Sequence, residues 1–190
     1  IVGLFISDAT MRITGGLLAG FTIPTGFSSH VRPTTDRVRE SLMNMLNHQI
    51  GLKDLNILDL FSGSGIMAAE FLSYGAQKVV SVDRDFRNYS YQKKLQKSHE
   101  ALVKWEIHKR DVYAFLGSNT EQFDLIFADP PYDLPNLHVF PEKVMTHLIP
   151  GGHFIFEHQP QLILQREPQI KKEYGSTTMS IFVNNPSENE

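Results

Sequence analysis

The sequence predicts an α/β fold: a mostly parallel sheet of seven strands, closed by a C-terminal antiparallel hairpin and preceded by a small separate β-hairpin. Three observations lead there. Short runs rich in β-branched and aromatic residues alternate with helical stretches, the pattern of a parallel sheet covered on both faces. The last two runs, "QIKKEYG" and "TTMSIFVN", are separated only by a Gly-Ser turn, as in a hairpin. Near the front, "RITGGLLAGFTIPT" (12–25) holds two β-prone pieces broken by Gly15-Gly16 and Gly20.

Taken in order, residues 1–10 read as an extension or an expression remnant, because Met11 followed by "RITGG" looks like a natural start. Residues 11–31 form the separate hairpin. In "RPTTDRVRESLMNMLN" (32–47), Thr34 or Thr35 can cap a helix. Asp36 then lies in its first turn, where a negative charge complements the helix dipole. Val38, Leu42, Met45 and Leu46 make its apolar face. The strands are "NILDLF" (56–61), "KVVSVD" (78–83), "WEIHKR" (105–110), "FDLIFAD" (123–129) and "HFIFEH" (153–158). Between them, "GIMAAEFLSYGA" is helical with Gly75 as its C-cap signal. "FRNYSYQKKLQKSHEALVK" (86–104) and "NLHVFPEKVMTHLI" (136–149) are further helices, the second interrupted by Pro141. The helices and strands from 32 to 184 thus make one domain, and "NNPSENE" leads into a disordered tail at 185–190.

The 190 residues suffice for one compact domain, and no apolar run approaches a membrane span. Nothing at the start resembles a signal peptide. The chain has no cysteine, which removes disulfides, cysteine-ligated metals and thiolate nucleophiles, and fits a reducing, cytoplasmic setting. Its net charge of −3 is uneven: residues 1–110 carry +4 and residues 111–190 carry −7. Arg32, Arg37 and Arg39 form one basic group beside polar turn residues, a candidate phosphate-contacting surface. Lys93, Lys94, Lys97, Lys104, Lys109 and Arg110 form another, which a solvated helix face explains equally well.

Chemistry concentrates at the strand ends. Asp59 ends one strand, and the turn Gly63-Ser64-Gly65 follows at once, where glycines permit positive φ and close approach to a ligand. Asp83 ends the next strand 20 residues after Gly63, in range to grip ribose hydroxyls. The glycine pattern alone also fits a dinucleotide site. A carboxylate at Asp59 repels a pyrophosphate, however, and suits the sulfonium or α-amino group of S-adenosylmethionine. Asp111 is placed either to accept an adenine amino group, with Val112 N–H on a ring nitrogen, or to cap the next helix. Asp129-Pro130-Pro131-Tyr132 then stops an apolar strand with a stiff, non-helical spur. Its carboxylate and the Pro130 carbonyl can accept the two N–H groups of an exocyclic amine, aiming the nitrogen lone pair at a methyl group. Tyr132 offers a face on which an extruded base can lie.

Four segments occur in order: Met11-Arg12-Ile13-x-Gly15-Gly16, Arg32 to Glu40, Asp59-Leu60-Phe61-x-Gly63-Ser64-Gly65, and Asp129-Pro130-Pro131-Tyr132. Together they resemble the bacterial family of guanine-N2 methyltransferases of small-subunit ribosomal RNA, over roughly residues 11–184. The Arg32–Glu40 motif is the most discriminating part, since the other motifs are shared by many methyltransferases. The resemblance implies a Rossmann-like domain binding S-adenosylmethionine through Asp59, Phe61, Gly63, Ser64, Gly65, Asp83, Asp111 and Val112, with Thr34 and Thr35 nearby. It implies catalysis by Asp129, Pro130 and Tyr132 without a metal. It also implies 16S rRNA as substrate, in the small subunit or its assembly intermediate, gripped through Arg12, Arg32, Arg37 and Arg39. The hairpin carries fewer basic residues than the family pattern leads one to expect. The rivals are an adenine-amino DNA or RNA methyltransferase and a catalytically silent RNA-binding assembly factor. An NAD-dependent oxidoreductase is disfavoured by Asp59 and Asp129.

Overall fold

The computed structural model describes residues 10–24 and 36–185. Strands β1 (Thr10–Arg12) and β2 (Thr22–Pro24) pair antiparallel as a two-stranded sheet of their own. After α1 (Asp36–Gln49) come β3 (Asn56–Leu60), α2 (Ile66–Ser73), β4 (Lys78–Asp83), α3 (Phe86–Gln96), β5 (Trp105–Lys109), α4 (Val112–Leu116) and β6 (Phe123–Ala128). Helix α5 (Phe140–Met145), β7 (Leu148–His158), β8 (Ile170–Tyr174) and β9 (Thr177–Val183) complete the chain. The main sheet runs β5-β4-β3-β6-β7-β9-β8, parallel except for β9, which is antiparallel to both neighbours. The chain builds outward from β3 to β5, then returns to lay β6 on the other side of β3. This reversal makes a crevice at the C-terminal strand ends, where open α/β sheets bind ligands.

The inner strands are apolar on both faces because both are covered. Ile57, Leu125, Phe127 and Ile155 pack on one face with Leu42 of α1 and Met67 and Phe71 of α2. Leu58, Ile126, Phe154 and Phe156 pack on the other with Phe115 of α4 and Phe140 and Val144 of α5. Among the described residues no helix is long and apolar enough to cross a membrane.

The N-terminal hairpin is anchored to α2. Glu70, buried in that helix, accepts bonds from Thr14 N and Thr14 Oγ1, and the Ser73 hydroxyl receives Leu18 N. Gly16 is needed for this approach, and Gly15 leaves room for the Tyr74 ring. A Cβ at Gly15 would sit 2.1 Å from the Tyr74 hydroxyl, and one at Gly16, with φ +71°, 2.1 Å from the Ser73 carbonyl oxygen.

Arg39 corrects an expectation. Far from offering its charge to RNA, it is 1% exposed, with Nε 2.8 Å from Glu70 Oε1 and Nη2 2.9 Å from Asp36 Oδ1. Nη2 also donates to the Arg12 carbonyl. The helical period turns Arg39 inward with Leu42, Met43 and Leu46, onto the one buried acid of α2. Charge alone cannot reveal that choice.

Two helices are also shorter than expected. The stretch 86–104 breaks after Gln96, and the His99 side chain caps a separate 3₁₀ turn at Glu100–Leu102 by accepting from Ala101 N. The stretch 136–149 becomes a 3₁₀ turn (Leu137–Val139), then α5 with Pro141 in its first turn, and its last two residues already belong to β7. Thr34, Thr35 and Arg32 lie outside the described residues.

Candidate active site

Asp59, Asp83 and Asp129 end or follow neighbouring strands at one edge of the sheet. In the parallel register Asp59 pairs with Ser81 and with Phe127, and Ala128 pairs with Phe156. Alternation therefore puts Asp59, Asp129 and a fourth acid, Glu157 of β7, on the face that carries α1 and α2.

After β3 the backbone turns sharply. Phe61 takes φ +58°, a left-handed conformation that a bulky residue holds only when its surroundings impose it. Its ring packs on Phe140 with centroids 5.7 Å apart. Asp83 Oδ2 accepts Gly63 N at 2.9 Å, and Gln92 Nε2 donates to Gly63 O at 2.8 Å and Ser62 Oγ at 2.9 Å. Gly65 has φ +77°, and a Cβ there would lie 2.5 Å from the Trp105 ring. The turn is thus fixed from below. Above Gly63 there is room, since an added Cβ would meet nothing nearer than the Phe61 carbonyl oxygen at 3.9 Å. Such a cradle admits a ligand close to the backbone.

Asp59 is 1% exposed and has no ion-pair partner among the described residues. Ser81 Oγ lies 3.4 Å from its Oδ2 and itself accepts Trp105 Nε1 at 2.8 Å, so the hydroxyl proton is available to the carboxyl. Burial, reinforced by the nearby Asp83, pushes Asp59 up to about 8. A buried acid with a displaced pKa and no counter-charge is a candidate site residue.

Asp83 accepts from Gly63 N, Asn88 Nδ2 and Asp85 N. A carboxylate offers about four lone-pair sites, which leaves one for a ribose hydroxyl. Asp111 is exposed and uses one oxygen to cap α4 through Ala114 N at 3.0 Å, while Val112 beside it is buried. Of the two roles read from the sequence, capping is present in the structure.

Asp129 keeps part of its surface open, while Pro130 is buried beneath it. Burial of its carboxyl, then Glu157, then Asp59, hold its pKa well above the usual carboxylate range. Leu134 N bonds the Pro131 carbonyl at 3.0 Å and closes the spur into a turn. Tyr132 is 41% exposed, and its hydroxyl donates to Thr177 Oγ1 at 3.0 Å. Beside it lies a hollow of about 220 Å³ lined by Tyr132, Leu137, Gln159, Gln161 and Leu162. Sequence reasoning missed Glu157 and Thr177. The signal for Glu157 was present, for "HFIFEH" ends an apolar strand in an acid as "NILDL" and "FDLIFAD" do. Among the described residues no group of three or more His, Asp or Glu side chains is placed to hold a metal ion.

A glycine turn over a switch point, a buried acid ahead of it and an Asp-Pro-Pro-Tyr spur opposite define a protein with the Rossmann-like fold of S-adenosylmethionine-dependent methyltransferases. An RNA methyltransferase of Salinibacter ruber, solved in complex with S-adenosyl-L-homocysteine, shares that fold with a TM-score of 0.60 at 14% identity, covering 77% of this chain and 92% of the other. The candidate methyltransferase yhhF of Escherichia coli matches with a TM-score of 0.80 at 24% identity, covering 93% of this chain and 99% of that one. The chain belongs to the family described as conserved hypothetical protein 95, whose profile matches residues 11–183, and with it to the bacterial family of 16S rRNA methyltransferases resembled in sequence. Its relatives include the candidate rRNA methyltransferase YlbH of Bacillus subtilis, 30% identical over 90% of this chain and 98% of the relative. Another is the ribosomal RNA small subunit methyltransferase D of Escherichia coli K12, 34% identical over 64% of this chain and 60% of the relative.

Proposed function

We propose that the protein methylates the exocyclic 2-amino group of a guanine in 16S ribosomal RNA, using S-adenosylmethionine, in the cytoplasm and on the small subunit or its assembly intermediate. The observation that carries this reading is the Asp129–Tyr132 spur at the C-terminal end of β6, whose carboxyl is close enough to the buried Asp59 to feel its charge. The family and the names of its relatives supply the ribosomal setting.

The residues fit the cofactor. The open cradle over Gly63 and the uncompensated Asp59 accept a cationic amino-acid moiety. Asp83 has one free acceptor position for the ribose, and Val112 and Asp111 stand at the next strand end for the adenine. S-adenosylmethionine, when bound, supplies a methyl group on a positively charged sulfur. The chain's own task is to prepare the nucleophile. An exocyclic amine is a weak one, because its lone pair is delocalised into the ring. Acceptance of its two N–H groups by the Asp129 carboxylate and the Pro130 carbonyl favours a pyramidal nitrogen with a directed lone pair, and stabilises the positive charge that grows there. The ring of Tyr132 supports the base from one face. Arg12 and Arg37, both exposed on the hairpin and α1, offer phosphate contacts; Arg32 completes this surface in our reading but lies outside the described residues.

The test is transfer of label from S-adenosylmethionine to purified small subunits lacking the modification, followed by digestion to nucleosides. N2-methylguanosine in the 16S RNA is the expected product. Label in adenosine points to the adenine-amino reading, and no transfer to a silent assembly factor; either overturns the proposal.

A further inference from the structure

Glu157 is a buried acid that the site read from the sequence does not include. It is 5% exposed, forms no salt bridge among the described residues, and lies outside the motif that names the chemistry. Since Ala128 pairs with Phe156 in the parallel β6–β7 ladder, the next residues, Asp129 and Glu157, stand side by side on one face. Neighbouring strands are about 4.8 Å apart, so two carboxyls meet where one would perform the chemistry.

Glu157 is also tied to the residue that supports the base. The Tyr132 hydroxyl donates to Thr177 Oγ1 at 3.0 Å. Thr177 then has a single proton to give, contested by the His158 carbonyl at 3.3 Å and the Glu157 carboxylate. A base lying on Tyr132 therefore brings its edge to Glu157 as well as to Asp129.

We infer that Glu157 is the specificity-determining residue of the site: it accepts the N1–H of guanine while Asp129 accepts an N–H of the adjacent 2-amino group. This deepens, and rests on, the guanine-N2 reading above. The N1–H and the two N2–H groups fan out along one edge of guanine, and two carboxylates a strand spacing apart engage one each. Adenine presents an acceptor at N1, whose lone pair the ionised Glu157 carboxylate leaves unpaired, so Glu157 would have to keep its proton to engage it. Sites built to pair a buried polar group reject partners that lack the matching group far better than apolar pockets reject a change of size. Burial draws Asp129 and Glu157 toward their neutral forms. A fan of N–H donors draws them back to the ionised, accepting form, so binding of guanine is coupled to loss of the Glu157 proton.

The experiment uses small subunits reconstituted with 16S RNA that carries either guanine or 2-aminopurine at the mapped target nucleotide. 2-Aminopurine keeps the 2-amino group but has an acceptor at N1. The parental enzyme should prefer guanine in kcat/KM by on the order of a hundredfold or more. Glu157→Gln, whose amide donates as readily as it accepts, should lose roughly tenfold to a hundredfold on guanine, and its preference should shrink to within about fivefold. Calorimetric affinity for S-adenosylmethionine should stay within about twofold, which separates loss of base reading from loss of the fold or cofactor site. If the parental enzyme methylates 2-aminopurine as fast as guanine, N1–H is not read and the inference falls without any variant. It falls equally if Glu157→Gln keeps the parental preference. If the parental enzyme places no methyl on guanine N2 at all, the proposed function falls first and this inference with it.

Discussion

Replacing Asp59 by Asn tests whether the site is built to receive a cation. The Asp59 carboxyl is displaced from 3.8 to about 8, chiefly by burial and then by Asp83. Folded, it holds its proton across a range in which the unfolded chain has released it. Its contribution is therefore fully present below about pH 3.8 and is lost as pH rises through about 8. A factor of ten in proton affinity is worth about 1.36 kcal/mol, so the whole displacement amounts to roughly 5–6 kcal/mol, and the span from pH 5 to 8 to roughly 4. Asn has nearly the same shape and no proton to lose. The stability of the parental protein relative to Asp59→Asn should thus fall by several kcal/mol between pH 5 and 8, in chemical denaturation at fixed ionic strength. Because only the difference is used, titration of groups that do not feel Asp59 cancels to first order, whereas that of Asp129, which does, remains in the difference. S-adenosylmethionine should compress the dependence, since a cation beside Asp59 favours the ionised form. Calorimetry near pH 7 in buffers of different ionisation enthalpy should then show proton release on binding, absent in Asp59→Asn. Parallel stability curves for the two proteins would refute the reasoning, because they would mean that Asp59 ionises normally and needs no cation.

The remaining expectations concern separate parts of the site. Asp129→Ala should keep the fold and the affinity for cofactor but slow single-turnover methylation by on the order of a hundred- to a thousandfold, the loss of about 2.7–4 kcal/mol typical of one preorganised electrostatic partner. Tyr132→Ala should weaken capture of substrate by roughly 1–3 kcal/mol of lost stacking, whereas Tyr132→Phe, which loses only the bond to Thr177, should cost about 0.5–1.5 kcal/mol. Arg39→Ala should lower stability by about 3–5 kcal/mol in denaturant melts, because it leaves Glu70 buried without its partner. Arg37→Ala should leave stability within about 0.5 kcal/mol; if Arg37 touches a phosphate, it should also make the salt dependence of RNA binding shallower by nearly one counterion.

Much of the fold was legible because the strands advertise themselves. "NILDL", "KVVSVD" and "FDLIFA" are short, apolar and β-branched, and the structure pairs them as neighbours in one parallel ladder. The Gly-Ser turn placed the closing hairpin correctly, with Tyr174 opposite Thr177. Helix lengths were less legible, since helical propensity extends through "SHEALVK" while the chain leaves the helix there: Ser98 Oγ bonds the Leu95 carbonyl and His99 caps a new turn. Such local side-chain competition with the helix carries little periodic signal. The start of β7 was missed by five residues, because Pro150-Gly151-Gly152 reads as a loop, yet the segment continues along the sheet with a register shift opposite Phe123 and Leu125.

The site shows a sharper division. An aspartate that ends an apolar strand was visible as a candidate at 59, 83 and 129, and the register brings those strand ends to one edge. What a linear pattern cannot show is which charges face each other across the fold. Arg39 and Glu70 are 31 residues apart, and only the docking of α1 on α2 makes them one buried pair. The same arginine, read by its neighbours Arg32 and Arg37, looked like part of an RNA surface. Glu157 is the converse case: its place near the end of an apolar strand was legible, but its position beside Asp129 emerged only once β7 lay against β6. The two misreadings share a cause. In both, the partner of a buried charge is set by tertiary register rather than by sequence distance. The physical difference between them then assigns their roles. Arg39 is matched by Glu70 and Asp36, so its charge is satisfied by the fold and holds the hairpin in place. Asp59 and Glu157 have no ion-pair partner among the described residues, and burial without compensation is a standing cost to stability. Ser81 and Thr177 give the two acids hydrogen bonds but no counter-charge. In the reading proposed above, their compensation comes from what binds there: a cationic cofactor for Asp59, and the N–H edge of a base for Glu157.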